Sequence, residues 1–217
     1  MSELELRAVT STPEEVAYEV RAAEASIFTG GRLLVGIVTF AYASLAFAYF
    51  YLRSANDENL WRPGGITAPT AFGATIFAIV VASAVLNAYG VKRMRAGMTT
   101  DWIVAGWFAV LGGLLAIGVQ IFELTRLPFF PGSSGYASCF IGWAGLNIAG
   151  ICAGTYWLET VLARGMRLRA ALRAEPDAAD EPRPAVVLFR ANLESCTYFW
   201  GYLALVSTLF WVLFYVV

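Results

Sequence analysis

The chain has 217 residues, of which 59% are hydrophobic and 14% charged, with a net charge of −1 and no histidine. This balance argues against a nucleic-acid surface, which needs an excess of positive charge, and places the chain among membrane proteins. Without imidazole, the commonest ligand for haem, copper and zinc in membranes is missing.

Residues Met1 to Ile27 lean acidic through Glu3, Glu5, Glu14, Glu15, Glu19 and Glu24. A cleaved secretion signal starts basic and carries a short apolar run. This segment has neither, so the first apolar helix is expected to remain in the mature chain. A short amphipathic helix is expected over about Pro13–Ser26. Residues 1–30 are therefore assigned to an N-terminal cytoplasmic segment and 31–217 to a membrane domain.

Five apolar runs follow, at Leu33–Leu52, Thr70–Val91, Ile103–Glu123, Tyr136–Leu162 and Leu193–Val217. Each is long enough to cross a hydrocarbon core about 30 Å thick at about 1.5 Å per residue. The fold class predicted is all-α, a polytopic membrane bundle of five transmembrane helices. Breaker-rich loops separate the runs: Trp61-Arg62-Pro63-Gly64-Gly65, then a short basic turn over Lys92–Asp101, then a Pro- and Gly-bearing stretch over Leu127–Gly135. The longest connection, Arg164–Arg190, has an Arg-rich stem and an acidic, Pro-containing middle, and reads as a cytoplasmic loop.

Basic residues set the orientation of membrane helices. Twelve of the 15 Lys and Arg fall on the side that holds the N-terminus, leaving only Arg53, Arg62 and Arg126 on the other. The N-terminus is expected in the cytoplasm and the C-terminus outside it.

Small residues recur at four-residue spacing as Ala74, Ala78 and Ala82, and again as Gly150 and Gly154. Lipid gives apolar helices little reason to hide from one another, so close backbone approach matters, and these rows read as bundle seams. Gly and Ala are also simply common in membrane helices. The deeper polar residues, Asn87, Gln120 and Asn147, are expected to bond across helices. Glu123, Glu159 and Glu194 lie near span ends, where a charge costs far less than at mid-membrane. No chain of titratable groups crosses the membrane. Cys139, Cys152 and Cys196 stand singly in apolar runs and read as small hydrophobes.

The ordered motifs resemble subunit III of the haem-copper cytochrome oxidases. Ala48-Tyr49-Phe50-Tyr51-Leu52-Arg53-Ser54 is similar to that family's aromatic span ending, and Trp61-Arg62-Pro63-Gly64-Gly65 to its Trp-Pro-Pro-Gly loop. Gly118-Val119-Gln120-Ile121-Phe122-Glu123 resembles its Gly-Leu-Gln-x-x-Glu. Gly135-Tyr136-Ala137-Ser138-Cys139-Phe140 resembles the opening of its next helix, and Glu194-Ser195-Cys196-Thr197-Tyr198-Phe199-Trp200-Gly201-Tyr202 resembles its last span. The chain departs from the family where titratable groups are usual. Thr39 to Phe47 holds no acid, the His-Gly-x-His motif reads Ala144-Gly145-Leu146-Asn147, and Trp-His-Phe-Val-Asp reads Trp200-Gly201-Tyr202-Leu203-Ala204.

The resemblance implies the five-helix bacterial form, with Gln120, Glu123 and Glu194 as its matching polar positions. It implies a non-catalytic subunit of a terminal oxidase in the bacterial inner membrane, packed against the large catalytic subunit I. No catalytic or metal-binding residue is expected in this chain. Haem and copper would lie in partner subunits, and phospholipid would be bound. Three other readings stay open: an accessory membrane protein of a nitric oxide reductase system, an independent small transporter or channel, and a membrane assembly factor.

Overall fold

The structure, a computed structural model, describes residues 12–56, 60–174 and 183–217. The chain enters its first helix at a capping box. The Thr12 hydroxyl accepts from the Glu15 backbone N–H at 3.3 Å, and the Glu15 carboxylate accepts from the Thr12 N–H at 2.7 Å. Pro13 follows in the first turn, where its missing N–H costs nothing. From there α1 runs unbroken over Pro13–Ser54. The short N-terminal helix and the first span are therefore one element, because nothing between them stops a helix: the run is rich in Ala and Glu and holds no proline. At 42 residues α1 is about 63 Å long, twice the hydrocarbon core, so much of it stands outside the membrane.

A single 3₁₀ turn at Pro63–Gly65 precedes α2, Thr70–Arg95. Helix α2 ends in a Schellman motif: the Met98 N–H donates to the Arg93 carbonyl and the Gly97 N–H to the Met94 carbonyl, with Gly97 at φ +84. Glycine adopts that left-handed conformation without strain. The reversal sends α3, Thr99–Leu124, back along α2. Next comes α4, Gly135–Ala174, and then α5, Pro184–Trp211, which closes in a π turn at Val212–Val216. The Arg-rich stem Arg164–Arg173 is helical, not looped, since Arg, Ala, Leu and Met all favour helix. The acidic stretch 175–182 lies outside the described residues.

All five helices are long and apolar enough to cross a membrane. Helix α5 packs on α1, α2 and α4; α4 also meets α3 and α1, and α2 pairs with α3. Each helix buries a narrow stripe and leaves the rest apolar and exposed. Phe40, Phe47 and Phe50 of α1 are 77%, 71% and 56% exposed, as lipid-facing side chains are. Where helices touch, glycine allows the approach. A methyl group on Gly31 of α1 would meet the Ser195 Cβ of α5 at 3.0 Å, and one on Gly90 of α2 the Ala105 Cβ of α3 at 3.1 Å.

Candidate functional site

Gln120 and Glu123 stand three residues apart on α3, so both project from one face of the helix, and both are wholly buried. Asn147 of α4 donates its side-chain N–H to Gln120 Oε1 at 2.9 Å, and the Ser207 hydroxyl of α5 donates to Asn147 Oδ1 at 2.9 Å. Three helices thus share one side-chain chain of hydrogen bonds. A turn further along α3, Glu123 Oε1 accepts from the Tyr215 hydroxyl at 2.6 Å, from the π turn that closes α5. Gln120 Nε2 and Glu123 Oε2 have no hydrogen-bond partner among the described residues.

Next to this polar core lies a cage of aromatic rings. Tyr49, fully buried, packs edge-on against Trp61 at 5.0 Å and Phe214 at 5.1 Å. The Tyr49 hydroxyl donates to the Leu213 carbonyl at 2.8 Å, and the Tyr136 hydroxyl to the Phe214 carbonyl at 2.9 Å. The last carbonyls of a helix have no partner within it, and lipid supplies none. Two tyrosines from α1 and α4 therefore satisfy the terminal turn of α5. Each tyrosine is held in turn: Arg53 donates to the Tyr49 oxygen at 2.9 Å, and the Ala68 N–H to the Tyr136 oxygen at 3.2 Å.

The residues singled out in the sequence fall in different places. Gln120 and Glu123 are brought together in the polar core. Glu194 lies at the opposite end of the bundle, where it pairs with Arg95 at 2.6 Å and stays partly exposed. Gly150 and Gly154 face α5: an added methyl would sit 3.0 Å from Leu203 Cδ2 at Gly150 and 2.8 Å from Leu203 Cδ1 at Gly154. At the same crossing the Trp200 indole N–H donates to the Gly154 carbonyl at 3.0 Å. The alanine row behaves otherwise. Ala78 and Ala82 are exposed and Ala74 is half-buried, so they form no seam inside this chain. The buried stripe of α2 runs through Gly73, Ile76, Val80, Ser83, Asn87 and Gly90. Four-residue spacing marks a helix face, but it does not say which way that face points. Asn87 reaches Thr197 of α5 at 3.4 Å. Cys139 and Cys196 are buried and Cys152 is exposed, all with free thiols.

Ser207 and Tyr215 were not singled out, although one signal for Tyr215 was present. Glu123 ends the third span and Tyr215 the fifth, and in a bundle of alternating direction odd-numbered spans end on the same side. Ser207 carried no such signal, because a serine in an apolar run most often bonds its own helix. Among the described residues no group of three or more His, Cys, Asp or Glu converges as a metal site would require. The chemistry of the polar core is amide, hydroxyl and a single carboxyl, arranged to tie helices together.

Fold and site together define a multi-pass, all-α membrane protein whose buried polar side chains join its helices. The sequence matches no known family model and no curated protein.

Proposed function

We propose that this chain is a non-catalytic, structural membrane subunit of a bacterial terminal oxidase, of the five-helix subunit III kind. It would lie in the inner membrane with its N-terminus in the cytoplasm and would pack against the haem-copper catalytic subunit. Such an oxidase takes electrons from cytochrome c and reduces oxygen. The observation that carries the reading is the ordered series of short motifs, from Ala48–Ser54 in α1 to Glu194–Tyr202 in α5. The use made of their side chains supports a structural role. Tyr49 satisfies a helix end, Gln120 and Glu123 bond across to other helices, and Trp200 bonds the α4 backbone. These groups are engaged in holding the bundle. The exposed apolar faces of α1 and the alanine face of α2 leave surface for bound phospholipid and for a larger membrane partner.

The test is purification of the tagged chain from its native membranes in mild detergent. The expected result is a complex that contains a haem-copper catalytic subunit and shows its haem spectrum. Recovery with nitric oxide reductase subunits, or of the chain alone with full stability, would overturn the oxidase assignment. Stoichiometric haem on the chain itself would overturn its structural role.

A further inference from the structure

At the end of the bundle opposite the polar core, a cavity of about 670 Å³ opens between the ends of α2, α3, α4 and α5. In its lining Gly165 of α4 carries no side chain, so the ring of Trp102 lies directly against that helix, with Phe189 of α5 edge-on to it at 5.6 Å. Trp102, Phe189, Leu168 and Leu172 give the cavity an apolar wall, and Arg95, Arg169, Arg173 and Arg190 contribute four guanidiniums. Glu194, also in the lining, neutralises Arg95 through their ion pair. Arg169 donates to the Thr100 hydroxyl at 2.9 Å and has no ion-pair partner among the described residues. Arg173 and Arg190 have no ion-pair or hydrogen-bond partner among the described residues. The Trp102 indole N–H, in a side chain only 2% exposed, also has none.

We infer that this cavity binds an anionic phospholipid, its phosphate on Arg169, Arg173 and Arg190 and an acyl chain along the Trp102–Phe189 wall. The charge argument is direct. Three arginines without an ion-pair partner among the described residues line one cavity at the ends of the spanning helices, and guanidinium matches phosphate through paired N–H donors. The apolar wall decides between sources of phosphate: a soluble anion gains nothing from Trp102 and Phe189, whereas a lipid buries a chain there. Basic pockets between membrane helices at an interface recognise lipid headgroups in this way. The site lies away from the exposed faces of α1 and α2, and the inference holds whichever complex the chain joins.

Native mass spectrometry of the full chain, offered phosphatidylglycerol or phosphatidylcholine in mild detergent, tests it. Phosphatidylglycerol should be retained at least tenfold better. The Arg173→Gln/Arg190→Gln double variant should lose most of that preference. Neither residue has a partner among the described residues, so the variant is expected to fold. Arg173→Lys/Arg190→Lys, which keeps the charge, should retain most of it, and Arg126→Gln at the other end should leave it unchanged. Millimolar inorganic phosphate should not displace the lipid. Equal retention of both lipids, an unchanged preference in the Gln variant, or loss in the Lys variant as complete as in the Gln variant would each overturn the inference. Displacement by phosphate would show a free-anion site instead.

Discussion

The Asn147 side chain of α4 donates to Gln120 of α3 while accepting from Ser207 of α5, each at 2.9 Å. One amide thus fixes the register of three helices. Replacing Asn147 by Ala removes two buried bonds and strands the Gln120 oxygen and the Ser207 hydroxyl. Hydrogen bonds between membrane helices average about 0.6 kcal/mol and reach about 1.7, so a loss of roughly 1–3 kcal/mol is expected. Thermal unfolding in detergent should show it, with Asn147→Ala well below Asn192→Ala, whose side chain accepts one bond, from Trp157, among the described residues at the half-buried edge. Equal stability of the two variants would contradict the account.

The glycines of α4 are predicted to differ sharply. An extra methyl at Gly154 would meet Leu203 Cδ1 at 2.8 Å, and one at Gly150 would meet Leu203 Cδ2 at 3.0 Å, whereas at Gly145 nothing lies within 4 Å. Gly154→Ala should destabilise, Gly150→Ala less so, and Gly145→Ala should be neutral or stabilising by up to about 1 kcal/mol from helix propensity. Gly150→Leu and Gly154→Leu should separate α4 from α5. In the oxidase complex proposed above, they should lower the occupancy of this chain while the haem spectrum of the remainder stays unchanged. A melting series in one detergent, with co-purification of the Leu variants, decides both points.

Tyr49→Phe and Tyr136→Phe keep the aromatic cage and remove only the hydroxyls that donate to the Leu213 and Phe214 carbonyls. Each should cost roughly 1 kcal/mol, because a carbonyl at a helix end is then left without a partner in an apolar setting. The effect should be local. Hydrogen exchange should rise in the last turn of α5 and remain unchanged at Trp200, whose indole bonds the α4 backbone far along the helix. Exchange rising uniformly along α5 would count against the capping role.

The basic asymmetry predicts topology. A reporter active only outside the cytoplasm should be active when fused after Val217 and silent when placed within 175–184, since five spans put these points on opposite sides. The reverse pattern, or activity at both points, would overturn the assigned orientation.

Composition and hydrophobic run length alone determined that this chain is a bundle of five apolar helices. Length against membrane thickness is a local property, and it needs no knowledge of what packs where. The structure shows the same locality at the Thr12 capping box and the Gly97 turn, where a few neighbouring residues set the backbone. What the sequence could not fix is the direction each helix faces. Ala78 and Ala82 share a helix face, yet that face points outward, while Ser83 beside them is buried. In lipid the exposed side of a helix is as apolar as the buried side, so the contrast that reveals facing in soluble proteins is missing. Only the tertiary structure could pair Glu123 with Tyr215, 92 residues apart, or bring the arginines of α4 and α5 to the rim of one cavity. Those meetings depend on how far each helix runs past its span and how it is rotated. Both are set by side chains on the neighbouring helices.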